Sequence, residues 1–379
     1  MPLKPNCLKR MENMFGLTKI EKFIDEKDSL SLEDISGRVK IDKNNSKINI
    51  NEFVSGIPIA FKGKLGNNGI FIVGDYLNYF PSLNINSNLD TPMDIEVNNN
   101  KNLILFISNL RYGISENENA INTMLIDFIQ GNNNLNSKLK NISDKISRIV
   151  MAGSSVYVND LVETLERDSY NNTNQYKIEL SNIIKNYSQF DKFLNIICNY
   201  IPVDLMPSIE SADGIYFPQK ENSPCLFLDN LTNINAKTLN LVTNPYNFNI
   251  YDQKEKKYKV FLGTSGENIN TISQYTNLDN PLDIMEKTLK WGHLAPLAPD
   301  TLRMYPYLEN DPLILDKIPD VYFTSGKNEL SFKNIDMDIE DVKKNILLLN
   351  LPDFSKCYKA VVYNINNGEI NEITFEINQ

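Results

Sequence analysis

Four short strings decide what chemistry this chain could do. Each follows a stretch that reads as a buried strand. There a metal-dependent phosphodiesterase would set carboxylates and imidazoles around two metal ions, which activate water and stabilise the displaced oxygens. After the first strand such a site would read Ser-Asp-x-His-x-Gly, and the chain has Ser108-Asn109-Leu110-Arg111-Tyr112-Gly113. Asn109 stands at the aspartate and Arg111 at the histidine, and a guanidinium has no lone pair to give a metal. After the second strand the required Gly-Asp is Gly153-Ser154. After the third, Gly-Asn-His-Asp/Glu is replaced by Ser208-Ile209-Glu210. Near the last core strand, Gly-His-x-His is replaced by Thr324-Ser325-Gly326-Lys327-Asn328. Asn109, Arg111 and Ser154 therefore read as vestigial positions, and no catalytic residue, metal or cofactor is expected.

A single histidine, His293, sharpens the point, because no multi-histidine centre can be built from it. A triad of Ser265, His293 and Asp300 is the remaining nucleophilic option. Gly263-Thr264-Ser265-Gly266-Glu267 is not a nucleophile elbow, since Glu267 occupies the second glycine position. His293 sits in Gly-His-Leu-Ala-Pro, a helix exit, where a histidine caps or packs. The four cysteines, Cys7, Cys198, Cys225 and Cys357, form no CxxC pair, so neither a zinc ribbon nor an iron–sulfur site is expected. They read as reduced thiols of an intracellular protein.

The elements that must position these residues fit a chain of two or three domains, with 379 residues, 41% hydrophobic and 23% charged. A net charge of −10 has the wrong sign for a broad phosphate-gripping surface. The run Lys254, Lys256, Lys257 and Lys259, mixed with Asp252 and Glu255, reads as a solvated hairpin tip. No charged-then-apolar leader opens the chain, and the most apolar stretch, Phe193 to Val203, is too short to span a bilayer.

Leu30 to Ile41 alternates around a Ser-Gly turn and predicts strand, turn and strand. An apolar run from Phe53 to Lys62, a Gly/Asn turn and a strand at Ile70 to Val73 extend this into a small β-barrel. The Asn-rich stretch from Asn84, with Pro92, reads as a linker over 86–102. Leu103 to Ile107 is a continuous apolar run, as in a strand covered on both faces. A capping box at Ser115 and Glu118 opens a helix ending near Gly131. Strands at Ile146 to Met151, Ile201 to Met206, Leu239 to Thr243, Tyr258 to Leu262 and Val321 to Thr324 alternate with helices at Ser181 to Asn199 and from Asn280-Pro281 to Gly292. Such alternation is an α/β domain. The tail reads as strands at 345–350, 357–364 and 369–377, the last two joined by Asn367-Gly368.

Several strings carry a resemblance over nearly the whole chain: LEDISGRVKI from Leu32, VSGIPIAFKGK from Val54, IPVDLMPS from Ile201, LVTNPY from Leu241, FLGTSGENI from Phe261, HLAPLAPDTLRMYPY from His293, DPLIL from Asp311 and LLLNLPDFS from Leu347. In order and spacing they resemble the B subunits of the replicative DNA polymerases alpha, delta and epsilon, the delta branch most. The resemblance implies an oligonucleotide-binding (OB) fold over 1–85 beside an inactivated calcineurin-like phosphodiesterase domain over 103–379, an α/β sandwich core flanked by helices. It implies a nuclear, non-catalytic scaffold that holds the C-terminal domain of the delta catalytic subunit and docks a third accessory subunit, meeting DNA mostly through the complex. No individual contact residue is carried over. The family has a helical segment and a first OB strand before the position matching Met1-Pro2-Leu3-Lys4-Pro5, so the OB part is expected to lack that strand. The rival readings are an active phosphodiesterase and a single-stranded-DNA-binding OB module. The first is opposed by Asn109, Arg111 and Ser154, the second by the acidic balance.

Overall fold

The computed structural model describes residues 22–66, 68–78, 93–95, 101–114, 118–132, 136–158, 173–211, 216–227, 238–252, 256–305, 307, 310–326, 329–339 and 342–376. Chain contacts group into two compact units. One takes 1–87, 267–318 and 335–345, and the other 88–266, 319–334 and 346–379. The units are therefore interleaved in sequence.

The first unit opens with two hairpins. Strands β1 (Ser31–Asp34) and β2 (Gly37–Lys40) pair antiparallel across the expected Ser-Gly turn. Asp34 fixes that turn by accepting from the Ser36 amide and hydroxyl and from the Gly37 amide. Strands β3 (Ile59–Leu65) and β4 (Phe71–Asn78) pair antiparallel, with a bulge between Lys62 and Gly63. The two hairpins meet through a bridge from Ile41 to Phe71. Residues 1–21 and the Ser115 cap position lie outside the described residues.

Within the segment expected as a linker, Met93–Ile95 forms a strand, β5. It pairs parallel to a strand that composition alone did not mark, as given below. Apart from Lys101 and Asn102, the rest of 86–102 lies outside the described residues. The second unit continues with β6 (Leu103–Ser108), helix α1 (Glu118–Gln130), helix α2 (Ser137–Asp144) and β7 (Ile146–Ala152). Helix α3 (Thr173–Cys198) starts earlier than its apolar spacing predicts. Strands β8 (Val203–Leu205), β9 (Leu239–Leu241), β10 (Tyr246–Asp252) and β11 (Lys257–Thr264) follow.

Two helices then belong to the first unit, α4 (Glu267–Tyr275) and α5 (Pro281–Trp291). Helix α5 keeps both of its sequence signals: the Asn280 side chain accepts from the Leu282 amide, and Gly292 ends the helix at φ 66°. The chain ends with β12 (Val321–Ser325), β13 (Ser331–Ile339), β14 (Val342–Leu351), β15 (Lys359–Asn364) and β16 (Ile370–Thr374). Gly368 turns β15 into β16 at φ 72°, as Asn-Gly predicts.

The strands make two six-stranded mixed sheets, in the orders β13-β14-β12-β11-β10-β5 and β16-β15-β6-β7-β8-β9. Alternation along β6 explains the layering. Ile104 and Phe106 join Phe248, Phe261, Phe323 and Val361 in one core, which binds the two sheets face to face. Leu103, Leu105 and Ile107 join Leu125, Phe190 and Ile197 in a second core against helices α1 and α3. A strand covered on both faces needs apolar residues along its length, and all six residues of β6 are buried. The second unit is thus a β-sandwich with helices on one outer face.

Candidate functional site

In a parallel sheet the side chains that do chemistry collect beyond the carboxyl ends of the strands. Strands β6, β7 and β8 run parallel in one sheet, and β11, β12 and β14 run parallel in the other. The loops leaving all six are joined by hydrogen bonds and ion pairs, and Asn109, Arg111 and Ser154 lie among them.

Asn109 links both sheets. Its Oδ1 accepts from the Ser154 amide at 3.0 Å, and its Nδ2 donates to the Gly326 carbonyl at 2.9 Å. Both partners are backbone groups of fixed polarity, so the amide can be oriented one way only. Asn109 also takes φ 51°, a left-handed conformation that asparagine tolerates better than most residues. Its side chain thereby turns into the gap between the sheet ends.

Ser154 places its hydroxyl 3.1 Å from that of Ser208, and the Ser208 hydroxyl accepts from the Glu210 amide at 3.2 Å. Ser108 donates to the Ser325 hydroxyl at 2.8 Å. Ser265, the nucleophile of the triad option, donates to the Pro207 carbonyl at 2.6 Å and accepts from the Gly153 amide at 3.3 Å. Its hydroxyl works as a link between loops. Gly153 and Gly266 sit at φ 76° and 91°, where a Cβ would press into Asn109 and Ser325 or into the Ser325 carbonyl. Those glycines allow the loops to approach this closely.

Arg111 lies two residues beyond Asn109, with φ 47°. Its guanidinium lies 3.3 Å from Glu210 and 3.8 Å from Asp353, and Asp353 also pairs with Lys356 at 3.4 Å. Arg111 is thus a permanent cation matched by two carboxylates. Sequence reasoning singled out Glu210 but assigned no role to Asp353, although it lies within the string LLLNLPDFS from Leu347. Lys327 and Asn328 lie outside the described residues. Among the described residues, no three His, Cys, Asp or Glu side chains converge as a metal would need.

His293 belongs to the first unit and is held locally. Its Nδ1 accepts from the Ala295 amide at 3.1 Å, so Nε2 carries the proton toward Asp311 at 3.0 Å. The acid it meets is Asp311 rather than Asp300, and the pair pins the helix exit, as a packing histidine would. At the β10–β11 hairpin, Lys259 pairs with the buried Asp252 at 2.8 Å, and Lys254 lies outside the described residues. No described helix is long and apolar enough to cross a membrane.

The structure thus gives a helix-backed double sheet whose strand-end loops are closed by amide and hydroxyl links around Asn109 and Arg111. Residues 104–333 match the B-subunit family of DNA polymerases alpha and epsilon, and the chain belongs to that family. Residues 1–76 match the DNA polymerase delta subunit OB-fold domain. Within the family the likeness is to delta small subunits. The chain is 29% identical to the DNA polymerase delta small subunit of Oryza sativa subsp. japonica, with 99% of this chain and 81% of the relative covered. It is 29% identical to that of Arabidopsis thaliana, covering 100% and 81%. It is 27% identical to that of Saccharomyces cerevisiae, covering 100% and 77%.

Proposed function

We propose that the chain is the non-catalytic small subunit of a DNA polymerase delta. In this reading it holds the C-terminal domain of the catalytic subunit and docks a third accessory subunit. It serves nuclear DNA replication and repair and meets DNA mostly through the assembled complex. Its sandwich is a phosphodiesterase-like core whose metal positions have become the vestigial residues Asn109, Arg111 and Ser154, beside an OB-fold part over 1–85. The observation that carries the non-catalytic half of this reading is the Asn109 bridge. The side chain accepts from the Ser154 amide and donates to the Gly326 carbonyl, so it is committed to closing the two sheets and offers a metal only one neutral lone pair in place of a carboxylate. The neighbouring Arg111 offers a metal no lone pair, and it occupies the carboxylates of Glu210 and Asp353. The full-length likeness to delta small subunits supports the scaffold half.

The test is co-expression with the C-terminal domain of a delta catalytic subunit. The two chains should co-elute as a stable complex through size exclusion at physiological salt. Separate elution of two folded chains would overturn the scaffold reading.

A further inference from the structure

The first unit contains a cavity of about 190 Å³, formed where the segment before β1 and the turn before β3 meet the end of α4 and the loop after α5. That is below the roughly 300 Å³ at which pockets for drug-sized ligands begin, and it suits one inserted side chain. Its lining is mixed: Phe23, Phe53 and Tyr275, with Ile50, Val54 and Leu297, stand beside the polar Ser29, Asn51, Ser55 and Thr301. Phe23 stacks on Tyr275 with ring centres 5.2 Å apart. Two carboxylates, Asp28 and Asp300, stand at its rim, and its described lining includes no Lys, Arg or His.

Two cations of the same unit are tied to other groups. Lys22 is tied to the Thr276 and Leu278 carbonyls and to Asp279 at 2.6 Å. Lys287, 6.0 Å from the Phe53 ring centre, is held by Glu52 at 2.8 Å. The pocket therefore combines aromatic faces with net negative charge, the arrangement that attracts an ammonium or guanidinium on a greasy stem. Burial, and then the charge of Asp300, raise the pKa of the Tyr275 hydroxyl, so the Asp300 field reaches the aromatic wall.

We propose that this pocket receives a single arginine or lysine side chain from a partner polypeptide, with the stem against Phe23, Phe53 and Leu297 and the charge at Asp28 and Asp300. A chain of net charge −10 steers a basic segment toward it. The site lies wholly within the first unit, and its test needs only the full chain, so it stands or falls apart from the polymerase reading.

The experiment titrates the methyl-labelled full chain with N-acetyl-arginine amide, N-acetyl-lysine amide and the neutral N-acetyl-norleucine amide, reading the methyl NMR signals of Ile50, Val54 and Leu297. The two cations should give saturable shifts at these methyls, and norleucine amide should give none. Asp28→Asn with Asp300→Asn should weaken the cation at least about threefold while leaving the remaining spectrum in place. Equal shifts from norleucine amide, or an unchanged affinity in the double variant, would overturn the proposal. So would shifts spread over the whole spectrum without saturation.

Discussion

Replacing Asn109 by aspartate restores the residue that a metal-dependent phosphodiesterase would carry, at constant shape and with a residue that also tolerates φ 51°. The change should nevertheless harm the protein. Asp Oδ1 can still accept from the Ser154 amide, but its second oxygen would face the Gly326 carbonyl, now 2.9 Å from the donating Nδ2. Two acceptors cannot bond unless one gains a proton. Asn109 is 9% exposed, so water cannot easily take over. Arg111 is already matched by Glu210 and Asp353 and gives little relief. The new carboxyl must either repel the carbonyl or hold a proton, and its folded-state pKa lies above the ordinary value of about 3.9. A group raised in this way contributes its stability below the unfolded pKa and loses it as pH rises through the folded one. A two-unit rise corresponds to about 3 kcal/mol at pH 8, with the gap to the parent shrinking to about 1 kcal/mol or less by pH 4.5. Urea denaturation of Asn109→Asp and the parent at both pH values measures this directly. Equal stability at pH 8 would refute the bridge argument. A manganese-dependent rise in the variant's melting temperature would also refute it, by revealing a latent metal site.

The remaining predictions test the frame and its chemistry. Asp204, fully buried and bonded to Arg148, Asn240 and Tyr246, ties its own strand to three others, so Asp204→Ala should cost about 3–5 kcal/mol; Asp204→Leu combined with Arg148→Met should recover most of that in the same denaturation assay. With manganese, the purified chain should not cleave bis(p-nitrophenyl)phosphate above a blank, and chelator-sensitive cleavage lost in Asn109→Ala would sink the non-catalytic reading. Burial pushes the Cys198 thiol up to about 12, so iodoacetamide at pH 8 should leave it intact while labelling the exposed Cys225, as peptide mass spectrometry would read; labelling of Cys198 at the Cys225 rate would contradict its buried position.

What the sequence disclosed depended on how local each signal was. LILFI announced β6 because a strand buried on both faces leaves no polar gap, and Asn280-Pro281 with Gly292 bracketed α5 because caps act within one turn. Strand β10, YNFNIYD, escaped notice although it alternates strictly, with Phe248 and Ile250 fully buried, because asparagine is a poor strand former and the segment follows Asn244-Pro245, which reads as a turn. Helix α4 escaped because ENINTISQY offers few apolar positions, and its burial comes from tertiary neighbours rather than from an apolar stripe. At the site, a ligand pattern singled out Asn109, Arg111 and Ser154, but nothing in the sequence disclosed their partners. Ser265 reaches Pro207 across 58 positions and Gly153 across 112, and nothing local encodes such pairings.

The two versions of this centre exclude each other for a chemical reason. A metal-binding set needs acceptors only, because carboxylates and imidazoles give lone pairs to the ion. The set found here pairs donors with acceptors: an amide nitrogen on the Gly326 carbonyl, serine hydroxyls on one another and on Pro207, and a guanidinium on Glu210 and Asp353. The Asn109 nitrogen is the hinge of that difference. With it, a carbonyl of one sheet is satisfied by a strand end of the other, and the sandwich closes without an ion. With an oxygen in its place, the same carbonyl is left facing an acceptor, a buried loss of about 1–3 kcal/mol that only a proton or a cation could offset. Aspartate at this single position therefore supplies no metal centre while Arg111 and Gly326 stay where they are; it removes the closed network without supplying an acceptor-only set in its place.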